Sequence, residues 1–388
     1  MRRLYLDHNA TTPLVSPALD RFNRVAGEVW GNASSVHHFG QQAKAVLDGA
    51  RASVAALLGA EPSELVFTGG GTDGDNAAVR GAAEALEPSG RRHLVVSSIE
   101  HEAVLQTAKA LARRGWRVTF LPVGQTGVVE PAALADALGD DTALVSVMHA
   151  NNEIGTLQPV ADIARLVRGH GALMHTDAVQ GGGSLDINVD RLGVDLLTLA
   201  AHKFHGPKGV GILYARQGTP LLPEITGGSQ ERNRRAGTEN IAGIVGTATA
   251  LTWAQVNRVA HAAHLARLRD RLIAGILGAV PDTALTGHPT ERLPGLASFA
   301  IAGLSGAEEL LLGLDQAGIC ASSGSACTSA SLEPSYVLRA CGLPSALAVG
   351  SLRLSLGYAN TDADVDHALA TLPPLVERLR ELARLMQG

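Results

Sequence analysis

Cysteine is nearly absent from this chain of 388 residues, which has three, at Cys320, Cys327 and Cys341. An odd count this small cannot build a disulfide framework, and it leaves at least one thiol free. Basic charge is not in excess either. The 32 Lys and Arg against 37 Asp and Glu give a net charge of −5, which argues against a nucleic-acid or anionic-membrane surface as the main partner. No apolar run reaches the ~18–20 residues that span a bilayer. The opening Met1-Arg2-Arg3-Leu4-Tyr5-Leu6-Asp7 sets an acid where a secretory leader would continue apolar. With 44 Gly and 17 Pro, the composition is not that of a low-complexity chain. These absences leave a globular α/β protein, expected in the cytoplasm and long enough for two or three domains.

What the sequence does have is an alternation of short apolar runs and helical patterns. Strands are predicted at 65–68, 93–98, 117–121, 143–148, 172–175, 195–199 and 211–214. Helical periodicity falls between them, at 75–86, 102–114, 131–138 and 160–169. Strands apolar on both faces, separated by helices, predict a mainly parallel sheet with ligand groups at the strands' C-terminal ends. A long amphipathic stretch at 256–277 then leads to strands at 297–301 and 351–355 and helices at 308–317 and 374–386. Pro373-Pro374 is expected to break the last helical region in two. Residues 16–257 are expected to form a large domain, with 1–15 and 258–388 forming a smaller one.

Chemistry-bearing residues collect just after the predicted strands. Phe67-Thr68-Gly69-Gly70-Gly71-Thr72-Asp73 runs from a strand into a helix. Amides at a helix N-terminus, beside Gly71 and the Thr72 hydroxyl, suit a phosphate. The plainer reading is a glycine turn capped by Thr72. The spacing fits neither the P-loop nor GxGxxG, which disfavours a nicotinamide dehydrogenase. His101 follows the strand at 93–98, and its plainer reading is a solvated helix-start histidine. Asn151-Asn152 closes the strand at 143–148, where an Asx turn is the alternative. Asp177 ends an apolar strand, where an acid is costly unless it meets a cation or donor. Gln180 follows it. Lys203, in Ala200-Ala201-His202-Lys203-Phe204, emerges from another apolar strand, where desolvation would make it a nucleophilic amine; a surface loop lysine is the alternative. The segment 227–240, with Arg232, Arg234 and Arg235 ahead of Thr238, could grip an anion or a second subunit, or be a solvated charge run. A phosphate cradle, a site lysine and a buried acid after successive strands are the parts that pyridoxal phosphate chemistry requires.

The ordered set resembles the cysteine desulfurases of the nitrogen-fixation and iron–sulfur-cluster type, a family of class V, fold-type I pyridoxal phosphate enzymes. The resemblance runs from Leu4-Tyr5-Leu6-Asp7-His8-Asn9-Ala10-Thr11-Thr12-Pro13 to Arg353-Leu354-Ser355-Leu356-Gly357. Its most discriminating part is Ser322-Ser323-Gly324-Ser325-Ala326-Cys327-Thr328-Ser329-Ala330-Ser331. It implies a seven-stranded, mainly parallel large domain and a smaller α+β domain. It implies that Lys203 forms the Schiff base with pyridoxal 5'-phosphate and then shuttles protons. Asp177 would pair the ring nitrogen, Gln180 contact the phenolic oxygen, and His101 stack on the ring. Thr72 and His202 would hold the phosphate, joined by Thr238 from the second subunit of a homodimer. Arg353 would pair with the substrate carboxylate, with Asn152 and Asn32 close by.

Cys327 would attack the sulfur of L-cysteine, giving alanine and a persulfide for protein acceptors such as an iron–sulfur scaffold. Its Ser/Gly/Ala surroundings have little apolar surface to bury and are expected to be mobile. Cys320 and Cys341 are expected to be structural. Ala200 stands where the resembled family has a serine. The other readings are a selenocysteine lyase, another class V transaminase or lyase, and a non-catalytic scaffold; the joint presence of Asp177, Lys203, Arg353 and Cys327 argues against the last.

Overall fold

The computed structural model of the chain describes residues 3–324 and 334–387. Its strands are β1 (Leu4–Tyr5), β2 (Leu65–Thr68), β3 (His93–Ser97), β4 (Arg117–Leu121), β5 (Thr142–Ser146), β6 (Leu173–Asp177), β7 (Leu196–Ala200), β8 (Gly211–Ala215), β9 (Thr283–Leu285), β10 (Leu296–Ile301), β11 (Ile319–Cys320) and β12 (Ser351–Ser355). β2 to β8 form one sheet of seven strands in the order β2-β8-β7-β6-β5-β3-β4. All pairings from β7 across to β4 are parallel, and β8 runs against both its neighbours.

Alternate side chains of these strands feed two cores, as the period of two demands. Phe67, Val95, Val145, Leu197 and Ile212 face the helix His38–Leu58 and the start of the helix Ile241–Ala279. Val66, Leu94, Leu144, Leu196 and Leu213 face the alanine-rich helix Gly71–Leu86.

A separate core lies beneath β12-β10-β9, an antiparallel sheet, and beside β1, which pairs in parallel with β11. The helix Ile241–Ala279 joins the two regions. Its Ile244, Leu251 and Ala254 belong to the first core, and its Leu265, Leu268, Leu272 and Ile276 to the second. At the changeover, Trp253 packs edge-on against Tyr358 at 4.8 Å between ring centres, and Tyr358 against His205 at 4.9 Å.

Two expectations about helices fail. The joining helix starts at Ile241, not near 256, with Asn240 Oδ1 accepting from the Gly243 N–H at 3.1 Å. Residues 241–254 are buried on most sides, so they carry no amphipathic stripe to announce a helix. The last helix, Asp362–Gln387, passes through Pro373 and Pro374 unbroken. The N–H groups missing there would cost ~3 kcal/mol or more in isolation. Val365, Ala368, Leu372 and Val376 bind this helix into the second core and outweigh that cost.

Candidate active site

Asp177 ends β6 in the middle of the sheet, and Lys203 closes the short turn after the neighbouring β7. Asp177 is buried, and its Oδ1 accepts from the Val179 N–H at 2.9 Å. Burial raises its pKa, and the nearby charges of His101 and Lys203 draw it back down. These three side chains therefore share one electrostatic neighbourhood. His101 is half-buried rather than solvated. It caps the helix Glu102–Arg113, its Nδ1 accepting from the Ala103 N–H at 3.1 Å. Lys203 Nζ donates to the carbonyls of Asn9 at 2.5 Å and Ala10 at 2.9 Å. Gln180 Nε2 donates to the same Asn9 oxygen at 3.0 Å.

The glycine turn after β2 supplies the other end of the site. Gly70 is the N-cap of the helix Gly71–Leu86, at φ +149°, and no side chain caps it. Thr72 lies inside the first turn, so the expectation that it caps the helix is not met. The cap needs a backbone conformation that L side chains rarely adopt, and glycine takes the position. A Cβ on Gly71 would stand 3.0 Å from Val179 and 3.4 Å from Ala200. The turn is thus pressed against the ends of β6 and β7. Its first-turn amides and the helix dipole favour an anion. His202, beside Lys203, has its ring at 3.2 Å from Thr11 Oγ1, and burial lowers its pKa to about 4. Asp73 accepts from the Gly69 N–H at 2.6 Å and pairs with Arg235 at 3.3 Å. Those bonds bring Thr238 to a small cleft it lines together with Gly69.

Arg353 sits on β12 almost fully buried. It donates to the Asn152 carbonyl and to Asp7 Oδ1, each at 3.0 Å, and its Nε has no hydrogen-bond partner. Asn151, not Asn152, makes the Asx turn, accepting from the Glu153 and Ile154 N–H groups at 2.9 and 3.0 Å. Asn32 is exposed, its side-chain oxygen taken by the Ser34 N–H at 2.8 Å in its own turn. Cys327 lies outside the described residues. Of the other two cysteines, Cys341 is buried, which pushes its thiol up to about 11, and Cys320 is half-buried.

A second tier of groups was not anticipated. Asp75 is buried with its Oδ1 at 3.7 Å from His175 Nε2, and His175 bridges Ser146 and Thr198 at 2.8 and 3.1 Å. Glu100 is buried, accepts from Ser97 Oγ and the Met148 N–H at 2.5 and 2.7 Å, and is pushed up to about 8 by burial. Asp7 and Glu153 belong to the same tier. Glu153 is buried and Asp7 half-buried; each adjoins an apolar residue, Ile154 and Leu6, but stands outside the predicted strands.

This constellation agrees with the comparisons. The family model described as aminotransferase class-V matches residues 4–368. The chain is 47% identical over 386 residues to a protein of Methanosarcina thermophila named cysteine desulfurase IscS, covering 99% of this chain and 94% of that one. It is 44% identical to a protein of that name from Dictyoglomus turgidum, covering 100% and 98%. A solved structure described as a NifS-like protein superimposes with a TM-score of 0.91 at 37% identity, covering 97% of this chain and 100% of that one.

Proposed function

The chain belongs to the class-V aminotransferase family, and on that premise we propose that it is a pyridoxal 5'-phosphate-dependent L-cysteine desulfurase. The observation that carries the reading is Asp177 and Lys203 at the ends of adjacent strands, in the electrostatic reach of His101 and beside the turn at Gly70 and Gly71. These residues fit the cofactor. The uncapped helix N-terminus with Thr72 and His202 suits its phosphate, the buried carboxyl of Asp177 its ring nitrogen, and the amine of Lys203 its aldehyde. Gln180 and Asn152 would flank the ring, and Thr238 of a second copy would complete the phosphate site. When bound, the cofactor supplies a sink for electrons from the substrate's α-carbon.

The chain's own groups do the rest. Arg353 receives the substrate carboxylate through its guanidinium, with Asn152 and Asn32 as the neighbouring polar groups. Lys203 Nζ carries protons to and from the substrate carbons, and His101 serves the substrate thiol through Nε2. Cys327, as thiolate, attacks the substrate sulfur. An S–S bond forms as the C–S bond breaks, and its electron pair stays with the substrate carbon, which takes a proton to become the methyl of alanine. L-Cysteine and the Cys327 thiol thus become L-alanine and a Cys327 persulfide, with no outside oxidant. A protein acceptor such as an iron–sulfur scaffold then removes the sulfur. Residues 16–257 form the cofactor domain; 1–15 with 258–388 form the one carrying Cys327. No helix among the described residues is long and apolar enough to cross a membrane, and we place the enzyme in the cytoplasm.

The test is incubation of the holoenzyme with L-cysteine, measuring alanine and the mass of the Cys327 peptide. The wild type should release alanine and gain one sulfur on that peptide. Cys327→Ala should still change colour with cysteine yet release no alanine, and Lys203→Ala should release no alanine. Full desulfurase activity in Cys327→Ala, or added sulfur only on Cys320 or Cys341, sinks the reading.

A further inference from the structure

Glu153 follows the Asx turn of Asn151 and carries a carboxyl with no part in the chemistry above. The residue is 5% exposed, and a carboxyl so buried is destabilising unless it is satisfied. Its Oε2 accepts from Ser335 Oγ at 2.5 Å. A Cβ on Gly324 would stand 2.6 Å from the same Oε2 and 3.3 Å from Ser335 Cβ. Gly324 and Ser335 therefore meet over one carboxyl, and they stand on either side of the residues that include Cys327.

Both flanks are anchored further out. Ser322 exchanges backbone hydrogen bonds with Arg353 at 2.7 and 3.2 Å. Ser335 caps the helix Tyr336–Ala340, and Tyr336 donates its hydroxyl to the Glu100 carbonyl at 2.6 Å, next to His101. The turn that presents Asn152 to Arg353 thus also presents Glu153 to the two flanks.

We propose that Glu153 is a positioning residue for Cys327, its carboxyl holding Ser335 by a hydrogen bond on one flank while Gly324 packs against the same oxygen on the other. The proposal rests on the role given to Cys327 above. The charged groups facing Glu153 are Arg353 from β12 and His101, which favour the carboxylate, and Glu102, which opposes it; the Cys341 thiol lies near as well. Burial outweighs the cations and holds the Glu153 pKa up at about 7. An ionised acceptor makes the stronger hydrogen bond, so the tie to Ser335 tightens as pH rises through neutrality.

The test uses single-turnover loading of sulfur onto Cys327, followed by mass spectrometry from about pH 6 to about pH 9. Holoenzymes of the wild type, Glu153→Gln, Glu153→Ala, Ser335→Ala and the Glu153→Ala/Ser335→Ala double variant are compared, with the colour change on cysteine binding recorded beside each. All five should change colour alike. Glu153→Ala and Ser335→Ala should each slow loading about tenfold, since each strands a buried polar partner. The double variant should be no slower than either. Glu153→Gln keeps an acceptor for Ser335, so it should match the wild type at the acid end yet rise less steeply through neutrality, keeping only the rise that Cys327 deprotonation itself supplies. Wild-type loading by Glu153→Ala at every pH overturns the proposal, as does loss of the colour change in step with loading. A wild type that never carries sulfur on Cys327 defeats the functional reading instead.

Discussion

Asp75, Asp177 and Glu100 gather three buried carboxyls at and behind the site, and burial raises all of them. Glu100 goes from 4.5 to about 8. An acid whose folded pKa is raised gives stability that is whole below its unfolded pKa and lost as pH rises through the folded one. The buried imidazoles run the other way. His8, His149 and His202 fall from 6.5 to about 4, so their contribution is whole above 6.5 and lost as pH falls through about 4. The cofactor-free chain should be most stable between about pH 5 and 7. Urea midpoints measured across pH should fall on both sides, and Glu100→Gln should flatten the alkaline side. An equally steep alkaline fall in that variant would clear Glu100 of the effect. Asp177 and Lys203 were legible in the sequence because each directly follows an apolar strand. Asp75 and Glu153 were not, because their burial comes from which distant element covers them. Cys327 was legible by resemblance alone.

At the scale of elements, the segment ahead of Thr238 is held from beneath. Glu231, Arg232 and Asn233 all have positive φ, at 46°, 58° and 63°, a run that ordinary residues avoid. It persists because Glu231 is buried and takes Arg51 bidentately, at 2.6 and 2.9 Å, and the Phe67 N–H at 3.1 Å. Arg51→Met leaves the Glu231 charge buried and unpaired, and should cost about 3–5 kcal/mol in urea unfolding. Arg51→Met with Glu231→Gln should recover much of that. Equal losses in the single and double variants would mean the pair is not what holds the segment. The sequence showed this segment as a basic surface loop. The acid inside it, and the arginine inside an alanine-rich helix 180 residues away, gave no periodic signal. The strands of the seven-stranded sheet, with β10 and β12, were legible to within about two residues, because aliphatic runs between turn residues have few other outcomes; β1, β9 and β11, each of two or three residues, were not.

For the whole molecule, a second copy is expected against the helices His38–Leu58 and Ile241–Ala279. An open groove of about 760 Å³, lined by Val46, Ala50, Val245, Ala248 and Val256, runs between them. Val256 and Val259, three positions apart on the same helix, are also about three-quarters exposed, at 75% and 74%, and extend the apolar surface beside the groove. Sedimentation should give twice the 40.1 kDa chain mass. Thr238→Ala should weaken pyridoxal phosphate binding about tenfold, the order expected for one lost charge-assisted hydrogen bond. A fully active single chain would contradict the shared site.

The pairing of Asp7 with Arg353 spans 346 positions, and it bears on how the enzyme comes into being. A ribosome makes Asp7, Asn9 and Ala10 among the first residues and Arg353 among the last. The strands β2 to β8 are all made by residue 215, while the later part of the chain is still being synthesised. The substrate carboxylate has no arginine to meet until β12 has emerged and laid itself beside the oldest residues of the chain. On the proposed function, a chain interrupted before β12 should take up pyridoxal phosphate without consuming cysteine.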